Sequence, residues 1–318
     1  MSILKVRDLI KKYPVDGGWF RPAREFFTAV NGISFDLEQQ ETLAILGPNG
    51  AGKTTTMHML LGTLTPTAGT ITYFGKDLKK ERSEIMQSVG FASAYTKLPG
   101  RLTVKENLDI YGRLYGLGGH ERETSIQYFL QAFGVWNLRD SYVAGLSAGQ
   151  MTRVMLAKAF LPKPRIVLLD EPTASLDPDI VQDVRSFIKE QQEQVGTTIL
   201  LASHNMVEVT ELCDRVLVLK QGSIIASDTP KNLAATVASV RVDLIIVDGL
   251  KRTVAYAQSK KYVCIIQDRH IALEVDEHLI ASLLSDLAQA GVEYSNITIA
   301  KPTLEDYFLH IAAQTKGV

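Results

Sequence analysis

GPNGAGKTT, the stretch from Gly47 to Thr55, follows the apolar run TLAIL at 42–46 and overlaps TTTMHMLLG, a segment able to form a helix. An apolar strand that breaks into glycines and continues as a helix points several backbone N–H groups into one concave turn, where an anion is stabilised. The spacing matches the pattern G-x-x-x-x-G-K-[ST], whose lysine reaches outer phosphates and whose hydroxyl ligates Mg²⁺. The predicted phosphate-binding residues are Gly47, Pro48, Asn49, Gly50, Ala51, Gly52, Lys53, Thr54 and Thr55, with Thr54 also a metal ligand.

The composition is typical of a globular protein with two domains. The chain has 318 residues, 46% of them hydrophobic, and a formal charge of −1, so it can bury one sizeable core and a smaller one. Without a clustered basic excess, we expect no nucleic-acid partner. Cys213 and Cys264 predict neither a disulfide framework nor a zinc site. No apolar run is long enough to span a membrane, and the N-terminal residues do not resemble a signal peptide.

The pattern of elements changes at the end of the first 228 residues. We expect one domain over 1–228, which begins with an edge strand at 3–9 and contains a helical subdomain at about 97–160 with two amphipathic helices. Residues 229–318 are predicted to form an accessory α+β domain. Their order from 240 to 300 is strand, helix, strand, strand, helix, strand, which is that of a ferredoxin-like unit. A last helix is expected at 303–312, and assembly or regulation is the predicted role.

Two carboxylates follow the apolar strand predicted at 165–169. Asp170 and Glu171 then stand at the carboxyl end of a buried, parallel-type strand, where open α/β sheets place their ligands. Because the phosphate-binding loop would bring Mg²⁺ to the same edge, Asp170 is suited to hold the ion through water, and Glu171 to polarise an attacking water. An exposed acidic strand end without a ligand is the alternative.

Other motifs are weaker when taken singly. LSAGQ at 146–150 predicts a helix N-terminus with Ser147 as N-cap, and Asp177 followed by proline opens the next helix. His204 follows a strand at 197–202 and is either a surface residue or a substrate contact. Tyr13, or less favourably Phe27, could stack on an adenine ring; otherwise both belong to a surface excursion.

Taken in order, these motifs make the chain resemble the nucleotide-binding subunit of ATP-binding cassette transporters over roughly 3–227. The resemblance rests on the phosphate-binding loop, LSAGQ, the run IVLLDEPT at 166–173, SLD at 175–177 and His204. It implies an α/β P-loop cassette with a central, mostly parallel sheet, an antiparallel β subdomain and a helical subdomain. PTLEDYFLHI at 302–311 is similar to the tail of two-component exporters, in which the permease is a separate chain.

The resemblance also implies an activity, cofactors and partners. The chain would bind ATP and Mg²⁺, pair head to tail with a second copy, and power an integral membrane permease for export from the cytoplasmic face of a membrane. Ser147 and Gly149 of one copy would face the γ-phosphate held by the other, and Gln150 and Asp177 are counted as nucleotide-binding on the same ground. The implied roles of the remaining residues are catalytic base for Glu171, γ-phosphate sensor for His204 and adenine platform for Tyr13.

The sequence departs from the family pattern at two positions. Ala148 stands where LSAGQ would usually have glycine, and Ala94 aligns with a glutamine that touches Mg²⁺ and the attacking water. Ser93, Tyr95 or a water could take the place of that glutamine. The alternative function is a nucleotide-dependent switch that hydrolyses ATP poorly. A soluble translation or repair ATPase fits less well, because the chain has one cassette without a long coiled-coil insertion.

Overall fold

The chain divides into two units, Met1–Thr229 and Pro230–Val318. In the first unit, apolar strands alternate with helices. The computed structural model describes residues 1–15, 25–93, 96–237 and 239–314. The elements of the first unit are β1 (Ser2–Pro14), β2 (Phe26–Glu38), β3 (Thr42–Leu46), α1 (Lys53–Leu60), β4 (Ala68–Tyr73), β5 (Lys76–Asp77), α2 (Leu78–Met86), β6 (Val89–Ser93), α3 (Val104–Leu114), α4 (Gly119–Ala132), α5 (Ala148–Phe160), β7 (Ile166–Asp170), α6 (Pro178–Glu193), β8 (Thr198–Ser203), α7 (Met206–Leu212), β9 (Arg215–Lys220) and β10 (Ser223–Asp228).

The central sheet has the order β10-β9-β3-β8-β7-β6, and it is parallel except for the β9–β10 hairpin. Every residue of β3, β7 and β8 is buried, as expected for strands covered on both faces. The register sets Leu46 beside Ser203 and Asp170 beside Ala202. The carboxyl ends of these strands therefore lie along one edge, which confirms the expected P-loop cassette fold.

The expectation of an edge strand at 3–9 is wrong. β1 lies between β2 and β4 in a second, antiparallel sheet of order β2-β1-β4-β5, and it continues to Pro14. The backbone at 11–13 does not end the strand, because it keeps pairing with β2 and sets Tyr13 opposite Phe27. Proline is tolerated at the last position, where a ladder N–H is not required.

Helices α3, α4 and α5 form the expected helical region. Thr103 caps α3 in a capping box with Glu106. Four phenylalanines pack together where α4, α5 and α6 meet: Phe129, Phe133, Phe160 and Phe187. The ring of Phe187 on α6 has its centroid 4.5 Å from that of Phe133 and 5.3 Å from that of Phe160. This cluster attaches the helices that begin at LSAGQ and at Asp177 to one another.

The second unit contains α8 (Pro230–Ala235), β11 (Ser239–Asp248), α9 (Leu250–Lys260), β12 (Val263–Gln267), β13 (His270–Asp276), α10 (Ile280–Gln289), β14 (Glu293–Ala300) and α11 (Leu304–Gln314). Its antiparallel sheet has the order β12-β13-β11-β14, which is the order of the expected ferredoxin-like unit. Alternate residues of β11 and β13, such as Val242 and Leu273, share a buried cluster with Ala257 of α9 and Leu283 of α10. The sequence did not predict α7 or α8, which are both short.

Among the described residues, no helix is long and apolar enough to cross a membrane.

Replacing Phe187 with alanine should lower the free energy of unfolding by about 3–5 kcal/mol, because a large side chain is lost from a closed aromatic cluster. Urea titration of the full chain, followed by circular dichroism, measures the change. Tyr128→Ala, at a half-exposed position next to Phe129, is the control and should change stability by no more than about 1 kcal/mol. Equal effects of the two substitutions would contradict the structural importance of the cluster.

Candidate nucleotide-binding and hydrolysis site

The loop between β3 and α1 is shaped by two close backbone approaches. A Cβ at Gly47 would lie 2.4 Å from the carbonyl oxygen of Leu219, and one at Gly52 would lie 2.5 Å from that of Ala29. Gly52 also has φ +103°, a conformation that disfavours any other residue. Glycine is required at both positions so that the loop can pass this close to β2 and β9.

Lys53 and the threonines that follow it open α1. Lys53 is 7% exposed, and its ammonium group donates hydrogen bonds to the carbonyl oxygens of Gly47 (2.7 Å) and Pro48 (3.3 Å). Burial lowers the pKa of Lys53, while the negative charges of Glu171 and Asp170 act in the opposite direction. Thr54 is exposed and Thr55 is half-buried, so both are accessible to a ligand at the helix N-terminus.

Asp170 ends β7 beside this loop and is 2% exposed. Its Oδ1 atom is buried without a hydrogen-bond partner among the described residues. Burial raises the pKa of Asp170, and the neighbouring charge of Glu171 raises it further; His58, Lys53 and the Ser93 hydroxyl oppose both effects. A buried carboxylate oxygen without a donor is suited to a metal-bound water, so Asp170 fits the predicted Mg²⁺ site.

Glu171 and His204 come together at the ends of neighbouring strands. Nδ1 of His204 lies 2.7 Å from Oε2 of Glu171, a distance at which the ring N–H donates to the carboxylate. Glu171 is buried and has φ +53°, and its N–H donates to the carbonyl oxygen of Ala202 at 2.8 Å. The His204 side chain is 62% exposed. The pair therefore consists of one fixed, buried carboxylate and one ring open to solvent.

A cavity of about 230 Å³ connects several of the predicted residues. Its lining includes Tyr13, Phe27, Asn49, Gly50, Gly52, Lys53, Thr54, Thr55 and Glu171. The structure thus brings both candidate adenine platforms to the phosphate-binding loop. Tyr13 is 36% exposed and has the Lys11 ammonium 5.2 Å from its ring centroid. Its role remains a prediction.

Ser147, Gly149, Gln150 and Asp177 are absent from the lining of this cavity. Ser147 caps α5: its hydroxyl accepts from the N–H of Gln150, whose side-chain oxygen accepts from the N–H of Ser147 at 2.9 Å. The helix therefore begins at Ala148, directly after the predicted N-cap. Ser147 is exposed, whereas Gly149 lies against the segment before Asp177, where an added Cβ would be 3.0 Å from the Ser175 oxygen.

The departure at Ala94 lies outside the described residues, as does Tyr95. Ser93 is described: it is 5% exposed, ends β6 next to Asp170, and its hydroxyl forms a hydrogen bond with the Asp170 carboxylate. This contact places one of the proposed substitutes for glutamine beside the predicted metal ligand.

Sequence reasoning missed Glu208. Its side chain is fully buried and accepts hydrogen bonds from Thr173 (2.9 Å) and Ser203 (2.7 Å), which flank the Glu171–His204 pair in sequence. The signal that could have indicated it was the pattern Asn205 to Glu208, an N-cap with an acidic residue three positions later.

Comparison with known proteins gives two matching family models. The model described as "ABC transporter" matches residues 30–174, which include the phosphate-binding loop, LSAGQ and both carboxylates. A model described as "AAA domain, putative AbiEii toxin, Type IV TA system" matches residues 152–210.

Individual relatives extend the match to most of the chain. The linearmycin resistance ATP-binding protein LnrL of Bacillus subtilis strain 168 is 30% identical over 295 residues, covering 91% of this chain and 94% of LnrL. The ABC transporter ATP-binding protein NatA of the same organism is 36% identical and covers 74% of this chain and 96% of NatA. The structure of cbiO1 from Clostridium perfringens has 30% identity and a TM-score of 0.61, covering 74% of this chain and 91% of that one.

LnrL aligns along almost the whole of both chains, and the family model covers the phosphate-binding loop, Asp170 and Glu171. The chain therefore belongs to the ATP-binding proteins of ABC transporters, and it is an ATPase of that family.

Proposed function

We propose that this chain binds MgATP in the cavity beside the phosphate-binding loop, hydrolyses it with Glu171 as base, and thereby powers export by a separate membrane permease. The observation that supports this best is the Glu171–His204 contact of 2.7 Å at the edge of the sheet that also carries Lys53 and Asp170. Lys53 and Glu171 line the same cavity there, and His204 contacts Glu171.

Lys53 and the N-terminus of α1 would hold the phosphates. The ammonium group already lies among carbonyl oxygens of the loop, and from there it can donate charge-assisted hydrogen bonds to the β- and γ-phosphates. The Thr54 hydroxyl and the Asp170 carboxylate would hold Mg²⁺, Asp170 through water. When bound, the ion neutralises charge that develops on the transferred phosphoryl group.

Glu171 would accept the proton of the attacking water. The contact with His204 and the backbone hydrogen bond to Ala202 restrict where its carboxylate can point, which favours a single orientation for the water. The His204 side chain is 62% exposed, and when the ring is protonated its Nε2–H can donate to a γ-phosphate oxygen while Nδ1–H donates to Glu171. The strained backbone at Glu171 is consistent with a residue held for function.

A second copy would complete the site. Ser147 caps α5 and is exposed, so the hydroxyl and the free N–H groups of that helix N-terminus are available to an anion on another molecule. None of the LSAGQ residues lines the cavity of its own chain. Head-to-tail pairing would bring the Ser147 end of each copy to the nucleotide of the other, with Gln150 and Asp177 nearby.

The permease is proposed from the relatives. LnrL is named for linearmycin resistance, and cbiO1 is described as part of the ABC transporter complex cbiONQ. We infer that this chain likewise works as a peripheral subunit at the cytoplasmic face of a membrane, on a permease encoded separately. Residues 230–318 would serve assembly or regulation, and no nucleic-acid partner is expected.

Lys53→Ala should weaken MgATP binding by about 2–3 kcal/mol, or roughly 30- to 150-fold in Kd, because the triphosphate loses its buried cationic donor. Isothermal titration calorimetry measures the affinity. Lys189→Ala removes an exposed lysine of α6 and serves as the control. Unchanged affinity in the Lys53 variant would contradict the assigned site.

Glu171→Gln should retain MgATP binding but lower kcat about 10²- to 10⁴-fold, because an amide cannot accept the proton of the water. The variant should then accumulate as an ATP-bound dimer, detected by size-exclusion chromatography with light scattering. Glu84→Gln, an exposed position on α2, is the control and should hydrolyse ATP like the wild type.

A second substitution tests the head-to-tail geometry. Ser147→Arg in the Glu171→Gln background places a bulky cation at the exposed start of α5 and should abolish the ATP-dependent dimer while leaving the monomer folded. A dimer that survives this change would show that the two copies pair through another surface.

Co-expression with its proposed membrane permease should move the chain from the supernatant to the membrane fraction. A six-helix membrane protein encoded by a neighbouring gene is the candidate to use, and detergent extraction should recover the two proteins together. An unrelated membrane protein of similar size is the control. Recovery in the supernatant with both proteins would argue against a permease subunit.

A further inference from the structure

Glu208 is an acidic residue that is fully buried in the first turn of α7. Both carboxylate oxygens are used: Oε1 accepts from the Thr173 hydroxyl at 2.9 Å, and Oε2 accepts from the Ser203 hydroxyl at 2.7 Å. Its backbone N–H donates to the side-chain oxygen of Asn205 at 3.2 Å, which caps the helix. The position of the carboxylate is therefore fixed from two sides.

The two hydroxyl groups belong to the segments that carry the reactive pair. Thr173 lies two residues after Glu171, and Ser203 lies immediately before His204. The Ser203 oxygen also accepts from the N–H of Asn205 at 3.0 Å, so the turn around His204 is held on both sides of the histidine. Glu208 thus connects the loop after β7 to the carboxyl end of β8, the two segments that carry Glu171 and His204.

Packing alone does not account for an acidic residue at this position. Burial raises the pKa of Glu208, while the two hydroxyl groups and the positive charge of Arg185 act in the opposite direction. Burying a carboxylate carries a desolvation penalty, and an apolar side chain of similar size would avoid it. Hydrogen bonds from a buried residue to the segments behind a site can set the orientation of the groups that do chemistry.

Glu171 has a particular need for such support. Its φ of +53° is a left-handed conformation that is unfavourable for a residue other than glycine, and it persists only where the surroundings enforce it. The hydrogen bond from Thr173 to Glu208 holds the chain just after this position. Without it, the loop would be free to relax and to carry the Glu171 carboxylate away from His204.

We propose that Glu208 is a positioning residue for ATP hydrolysis: by accepting from Thr173 and Ser203, it sets the distance between Glu171 and His204. This inference rests on the proposed roles of Glu171 and His204. Glu208 itself does not touch the nucleotide, because it is fully buried behind the two loops.

The test uses steady-state MgATP hydrolysis by the full chain carrying Glu208→Ala, Glu208→Gln or Val209→Ala. Glu208→Ala should lower kcat about tenfold or more while KM for ATP stays within about threefold, because the phosphate-binding loop is untouched. Glu208→Gln keeps one acceptor and gains one donor, so it can still bridge both hydroxyl groups and should retain at least about a third of kcat. Val209→Ala is the matched control: this neighbour is also fully buried, and its truncation should lower Tm without lowering kcat.

Several outcomes would overturn the proposal. The first is a Glu208→Ala variant whose kcat stays within about twofold of wild type. The second is a Val209→Ala variant that loses as much kcat as Glu208→Ala does. The third is a Glu208→Gln variant that loses as much kcat as Glu208→Ala does. If Glu208→Ala does not fold, Ser203→Ala removes one arm of the bridge and should lower kcat about threefold or more, with unchanged kcat counting against the proposal. An inactive wild type, or a fully active Glu171→Gln variant, would instead refute the proposed function.

Discussion

The site depends on the parallel register of the central sheet. Hydrogen bonds between β3, β8 and β7 align their carboxyl ends, so that the phosphate-binding loop, His204 and the Asp170-Glu171 pair leave the sheet side by side. These groups are far apart in the sequence, and no local interaction brings them together. Because all three strands are buried on both faces, a shift in their register would disrupt side-chain packing on both faces of the sheet.

Charge is distributed unevenly around this edge. Lys53 is a largely desolvated cation, while Asp170 and Glu171 are neighbouring buried carboxylates whose charges oppose the shift in the Lys53 pKa. Oδ1 of Asp170, which has no hydrogen-bond partner among the described residues, leaves the negative side incompletely satisfied. Such an arrangement is costly in the free protein and would be compensated if phosphates and a cation bound there, which would tie occupancy of the site to the stability of the surrounding loops.

The helical region contributes differently from the sheet. α5 presents a capped N-terminus at the surface, and the phenylalanine cluster joins it firmly to α4 and α6. A helix N-terminus that is exposed and can bind an anion is suited to contact with a second molecule. In the proposed dimer, the N-terminus of α1 would bind the nucleotide of its own chain, and the N-terminus of α5 would bind the nucleotide of the partner.

Local chemistry could be predicted from the sequence: the glycine spacing of the phosphate-binding loop, the acidic pair after an apolar strand, the cap at Ser147, and the order of strands and helices from 240 to 300. These features depend on neighbouring residues, so a linear pattern records them. Three features became visible only in the tertiary structure. β1 is an interior strand, and Tyr13 and Phe27 line the cavity beside the phosphate-binding loop. Glu208 accepts hydrogen bonds from both Thr173 and Ser203. Each of these results from pairing between distant segments, and the periodicity of a single strand or helix carries no information about which segment lies beside it.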